Sequence, residues 1–211
     1  MHKMEIFKKA SIYLVTSTEL SAVPTLELIE IFLKSGGRLF QLREKTFSKE
    51  QLIEIGLRAK ELADTYDAVF IVNDHVDVAL AVGADGVHLG QEDMSVHEAR
   101  QLLGPNRIIG VSTHNVEEAV LAQEQGVDYI NIGPIFPTQT KEHLLALGTT
   151  GVENILSSVK IPFTFMGGIK EDNIKSLLRY KPAALAMVTE ITKAVDIEAK
   201  VQRLLLNFKT C

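Results

Sequence analysis

A chain of 211 residues, 46% hydrophobic and 23% charged, has the length for one large domain with a sizeable core. Its net charge of -5 disfavours nucleic acid and anionic membrane surfaces as partners, so an anionic substrate would need a locally basic pocket. The single cysteine is the terminal Cys211, which excludes disulfides and cysteine-clustered metal sites.

Residues 1–10, MHKMEIFKKA, read as a short N-terminal extension. Their basic residues lead into no signal-type apolar stretch, because Thr16, Ser17 and Thr18 interrupt it. No segment reaches the roughly 18 consecutive apolar residues of a membrane span, so a cytoplasmic protein is expected. Ser11 to Ser17 (SIYLVTS) then reads as a strand, and PTLELIEIFLKSG as a helix opened by Pro24 and stopped at Gly36. LFQLRE is the second strand, and Ser48 caps a long amphipathic helix, with Gln51 placed to complete a capping box. AVFIVN and GVHLG read as buried strands around a short helix, DVALAVG. Helix Ser95 to Leu103 leads through Gly104 and Pro105 to strand RIIGVS, and helix VEEAVLAQEQ ends at Gly126 before strand YINIG. Helix VENILSSV precedes strand FTFMGG, a short helix from Asp172 to Leu178 precedes strand ALAMV, and Glu190 to Phe208 reads as one helical tail.

Eight apolar strands alternating with about eight amphipathic helices imply parallel pairing with helices covering the sheet. Eight units close a barrel, so the expected fold is α/β, an eightfold (β/α) TIM barrel spanning residues 1–211 as a single domain. An open doubly wound sheet would more often use fewer strands.

In such a barrel, the loops after the strands form the active face. Strand two delivers Gln41, Arg43, Glu44 and Lys45 there, and strand three delivers Asn73 and Asp74. Strand four carries His88 and runs toward Asp93, while strand five ends in Ser112, Thr113 and His114. Strand six leads through GPIFPTQTK to Thr138, Thr140 and Lys141, strand seven to Gly167 and Gly168, and strand eight to Thr189. Singly, each has a plainer reading: Asn73 or Ser112 as a helix cap, His88 as a hydrogen-bonded core residue, Arg43 and Lys45 as surface charge. Together they describe a ligand-binding face.

Arg43, Lys45 and Lys141 suit phosphate oxygens. Asp74 and Asp93, after adjacent strands and with no cysteine nearby, suit a hard oxygen-binding cation, most simply Mg2+. Gly167 and Gly168, with Thr189, could offer backbone N–H groups and a hydroxyl to a second phosphate. Two anion sites with a metal near one fit a reaction joining two phosphorylated molecules.

The motifs FQLREK, NDHVDVALAVGADGVHLGQED, GVSTHNVEEA, GPIFPTQTK and GGI, in that order, resemble those of the thiamine phosphate synthase family from about Ile12 to Val195. The resemblance implies a transferase of thiamine biosynthesis. It would join 4-amino-5-hydroxymethyl-2-methylpyrimidine diphosphate to a thiazole phosphate and release pyrophosphate by a dissociative, Mg2+-assisted route. It further implies that Gln41, Arg43, Lys45 and Asn73 contact the pyrimidine diphosphate, with Ser112 beside it, and that Asp74 and Asp93 hold Mg2+. Thr138 and Thr140 would contact the thiazole phosphate, Lys141 the leaving diphosphate, and Gly168, Val188 and Thr189 the second phosphate.

Three departures stand out. LLRYKPAALAMV replaces a glycine-rich turn before the last strand, Glu190 stands where a small residue is usual, and EHLLALG after Lys141 is unusually apolar. A carboxylate at Glu190 would repel a phosphate unless turned outward. A related thiazole tautomerase, with His114 moving protons, and a non-catalytic module that binds thiamine phosphate or its precursors are the alternative readings. Apolar helix faces such as LLLNF would either cover the barrel or pair subunits into a homo-oligomer.

Overall fold

Strands that are apolar at nearly every position need cover on both faces, which an all-parallel sheet wrapped by helices provides. In the computed structural model, which describes residues 2–138 and 145–209, that sheet is a closed barrel. Its strands are Ser11–Val15 (β1), Leu39–Leu42 (β2), Val69–Asn73 (β3), Gly86–Leu89 (β4), Ile108–Thr113 (β5), Tyr129–Ile132 (β6), Phe163–Met166 (β7) and Ala184–Met187 (β8). Each pairs in parallel with the next, and β8 returns to β1 with Ser11 opposite Ala184. The helices are His2–Lys8 (α1), Thr25–Lys34 (α2), Lys49–Thr65 (α3), Val76–Ala81 (α4), Val96–Leu103 (α5), Val116–Glu124 (α6), Gly148–Ser158 (α7), Lys175–Leu178 (α8), Thr189–Thr192 (α9) and Ile197–Lys209 (α10).

Alternation along the strands divides the core in two. Ile12 and Leu14 join Phe40, Phe70 and the inner faces of α2 and α3 in the larger cluster between barrel and helices. Tyr13 and Val15 belong to the smaller cluster with Leu39, Ile71, Tyr129 and Ala186. The N-terminal segment, expected only as an extension, forms α1, and its fully buried Phe7 belongs to this smaller cluster. Its ring lies 4.4 Å from that of Tyr129 and 6.4 Å from that of Tyr13.

The cap expected at Ser48 is present, and Ser95, read as the first residue of its helix, is a cap as well. Gln51 and Glu98 close capping boxes that satisfy the first backbone donors of α3 and α5. Two helices differ from the sequence reading. The short helix expected from Asp172 begins at Lys175, because Asn173 bonds locally instead: its Oδ1 accepts from the Lys170 N–H at 2.9 Å and its Nδ2 donates to the Gly168 carbonyl at 3.0 Å. The tail is broken into α9 and α10. Thr192 Oγ1 donates to the Leu20 carbonyl at 2.6 Å, tying α9 to the loop after β1, and Asp196 accepts from the Ala199 N–H at the start of α10.

The turn before β8 explains the RYKPAA departure. Gly83 and Gly126 take positive φ (68° and 76°) in the turns before β4 and β6, and Lys181 takes the same left-handed conformation (φ 54°) before β8. A side chain there is strained by roughly 1 kcal/mol or more. Lys181→Gly is therefore expected to raise stability by about 1 kcal/mol, read as a shifted denaturant midpoint at unchanged slope. No shift, or a loss, would show that the lysine is not strained.

Candidate active site

The C-terminal strand ends and their loops enclose a cavity of about 570 Å³. Gln41 and Arg43 from β2 and its loop, Asn73 from β3, Ser112 from β5 and Thr138 after β6 line it. Its opposite wall is Gly167 to Lys170 after β7, with Val188 and Thr189 after β8. A smaller cavity of about 140 Å³ adjoins it, lined by Arg43, Lys45, Asn73 and Asp74. Arg43 and Asn73 belong to both and so join them. Thr140 and Lys141 lie outside the described residues, as does Glu142 to Leu144 of the apolar continuation.

Burial pushes the Arg43 guanidinium below its usual range, and the charges of Asp74, Glu44 and Glu19 hold it back up. Glu44, from the same FQLREK motif, also lines the smaller cavity, but both its carboxylate oxygens are engaged by the fold. It is buried, accepting from the Thr18 N–H at 2.6 Å and from Thr25 Oγ1 at 2.8 Å, and so ties the loops after β1 and β2 together.

Asp74 sits in the left-handed region (φ 60°), with its N–H on the His88 carbonyl at 2.8 Å. Its carboxyl is pushed up to about 6, first by burial and then by its hydrogen bond with Asp93 and that carboxylate's charge, against the pull of Arg43. Asp93 is itself anchored, its Oδ2 accepting from the Gly90 N–H at 2.6 Å. The barrel thus brings the two carboxyls, 19 positions apart in the chain, into hydrogen-bonding contact, where they need either a shared proton or a cation. Among the described residues no group of three or more histidine, cysteine or acidic side chains is placed to hold a metal. A cation here would complete its shell with substrate and water oxygens, as Mg2+ usually does.

Gly167 and Gly168 matter for close approach. Both have positive φ (98° and 63°), and a Cβ would lie 2.5 Å from Pro134 Cβ at Gly167 and 2.6 Å from the Pro137 carbonyl at Gly168. The glycines let the GPIFP loop lie against them, with the Phe136 N–H on the Gly167 carbonyl at 3.1 Å. Glu190, the awkward carboxylate, is turned away from the cavity. Its Oε1 accepts from Lys200 Nζ of α10 at 2.7 Å and from the Glu171 N–H at 3.3 Å, leaving the wall to Val188 and Thr189.

The sequence reading passed over Asn131 and Met166, which also line the cavity. Asn131 is the one polar residue inside the run YINI, and it lies beside Ser112 in the β5–β6 register. That pairing would have revealed it. His88 is buried as a hydrogen-bonded core residue, yet it also reaches the cavity floor. His114 lines the cavity with its Nδ1 2.8 Å from Glu118 Oε2.

The sequence profile of the family described as thiamine monophosphate synthase matches residues 12–191. A thiamine-phosphate synthase of Shouchella clausii is 44% identical over 94% of this chain and 96% of its own. That of Caldicellulosiruptor saccharolyticus is 42% identical over 96% and 92%. The solved structure of a thiamine phosphate pyrophosphorylase from Pyrococcus furiosus superposes with a TM-score of 0.89 at 36% identity, covering 97% of this chain and 98% of that one.

Proposed function

The chain belongs to the thiamine monophosphate synthase family, and from that premise we propose how its barrel mouth performs the reaction. The enzyme is a transferase that condenses 4-amino-5-hydroxymethyl-2-methylpyrimidine diphosphate with a thiazole phosphate to thiamine phosphate, releasing pyrophosphate. The observation that carries the assignment is the contact of Asp74 with Asp93 beside Arg43, at the junction of the two cavities.

In this reading Arg43 and Lys45 receive the diphosphate in the smaller cavity, and Asn73 orients it. Asp74 and Asp93 would hold Mg2+, which when bound neutralises charge on the departing pyrophosphate. Cationic groups aimed at a leaving group help most when they are held in place before the bond breaks, as partly buried Arg43 is. Gln41 and Ser112 seat the pyrimidine, whose amino group supports positive charge at the methylene once the C–O bond lengthens. The thiazole phosphate takes the far wall of Gly168, Val188 and Thr189, with Thr138 beside it, so that its ring nitrogen faces the methylene. Holding both partners in one cavity removes the association entropy from the chemical step. Thr140 and Lys141 keep the roles implied by the resemblance, toward the thiazole phosphate and the leaving diphosphate respectively.

A thiazole tautomerase would use His114 and Glu118 to move protons, but the Asp74–Asp93 contact would then have no purpose. Mixing the purified protein with both precursors and Mg2+ is expected to release pyrophosphate in step with thiamine phosphate. Tight precursor binding without release at any Mg2+ concentration would instead mark a binding module.

A further inference from the structure

Beneath the cavity runs an unbroken hydrogen-bonded chain of four buried side chains that ends on half-buried Ser112. Gln41 Nε2 donates to Tyr13 Oη at 2.7 Å, and Tyr13 Oη lies 3.1 Å from Tyr129 Oη. Tyr129 Oη is 2.8 Å from His88 Nδ1, and His88 Nε2 is 2.9 Å from Ser112 Oγ. Five strands contribute one group each: Tyr13 from β1, Gln41 from β2, His88 from β4, Ser112 from β5 and Tyr129 from β6. Both tyrosines are fully buried, and burial pushes each phenol up, so both keep their protons.

Proton bookkeeping gives the chain one direction. Tyr13 accepts from Gln41, so its own proton goes to Tyr129, and the Tyr129 proton goes to His88 Nδ1. His88 is left with its proton on Nε2, which donates to Ser112 Oγ. With Gln41 Nε2 donating at one end, the opposite direction strands a buried hydroxyl proton without an acceptor, at a cost of roughly 1–3 kcal/mol. At the two ends, Gln41 Oε1 is left to accept and the Ser112 hydroxyl to donate.

We propose that Tyr13, Tyr129 and His88 are positioning residues that fix this acceptor–donor pair at the cavity floor. The pair is complementary to an aminopyrimidine, whose exocyclic amino group donates and whose neighbouring ring nitrogen accepts. This rests on the reading of Gln41 and Ser112 as the pyrimidine contacts. The fold makes room for the relay: a Cβ at Gly110 would lie 2.0 Å from Tyr129 Cζ, and Phe7 of α1 packs on the same ring.

Tyr129→Phe removes one hydroxyl and keeps the ring packing. Measured in the wild type and in a Ser112→Ala background, it is expected to lower kcat about tenfold in the first and about threefold or less in the second, because the share that passes through His88 to Ser112 is already lost and only the share through Tyr13 to Gln41 remains. Nitrogen-15 NMR of His88 in the unsubstituted protein is expected to show the proton on Nε2, and it decides the matter alone if Tyr129→Phe does not fold. Equal losses in both backgrounds, or a proton on Nδ1, overturn the relay while leaving the pyrimidine contacts standing. A silent Ser112→Ala overturns the relay and the contact reading together.

Discussion

Replacing Arg43 with alanine is expected to lower kcat by a factor of about 10²–10³, near 3 kcal/mol of barrier, with little change in thermal stability. Arg43 lines both cavities and lies close enough to Asp74 to pull its carboxyl back down. Its charge is already partly stripped of water, so it acts on a leaving diphosphate more strongly than a surface lysine would. Steady-state kinetics of pyrophosphate release, with circular dichroism as the fold check, measures this. A folded variant with kcat within threefold of wild type would remove Arg43 from the diphosphate site. Arg43→Lys is expected to recover only part of the loss, because an ammonium cannot make the bidentate contact of a guanidinium.

The second large effect is at Asp74, and its signs oppose each other. Asp74→Asn is expected to lower activity at saturating Mg2+ by about 10²-fold and to raise the Mg2+ concentration for half-activity, because it removes a charged oxygen ligand. The same change is expected to stabilise the metal-free protein at neutral pH. In the fold the Asp74 carboxyl sits at about 6, above its ordinary 3.8, so the native state favours the protonated form. Stability is then full below about pH 4 and declines as pH rises through about 6, where the native state must ionise a half-buried group beside Asp93. Asparagine never ionises, so the gain should be absent near pH 4 and complete above about pH 6. The carboxyl is partly exposed, so a gain of about 1 kcal/mol is expected rather than the full value of the shift. Chelated protein followed by thermal unfolding across that pH range, beside a Mg2+ titration of activity, gives both readings. An unchanged Mg2+ response with the stability gain intact would make the pair a strained structural contact and not a metal site.

The alternation of strands and helices was legible because each apolar run is closed by turn chemistry. Ser48 announces a helix, and Gly36, Gly104 and Gly126 stand where helices end. The polar mouth was legible for a related reason: Arg43, Asn73, Asp74, Ser112 and Thr189 stand at or beyond strand ends, where sequence position alone gives the face. The relay was not legible. Tyr13 and Tyr129 sit in apolar runs that face the barrel interior on one side and helices on the other, and a strand buried on both faces loses its period-two signal. The break between α9 and α10 was hidden too, because its cause is Thr192 bonding to Leu20, 172 residues away.

From its sequence alone this protein has an eightfold strand–helix rhythm, a polar rim and the family motifs, because propensity, capping and strand ends act over a few residues. Closure of the sheet decided the rest. It put Asp74 against Asp93, turned Glu190 onto Lys200, and linked Gln41 to Ser112 through Tyr13, Tyr129 and His88. Those contacts depend on burial and on distances between residues far apart in the chain, and such distances exist only once β8 has met β1.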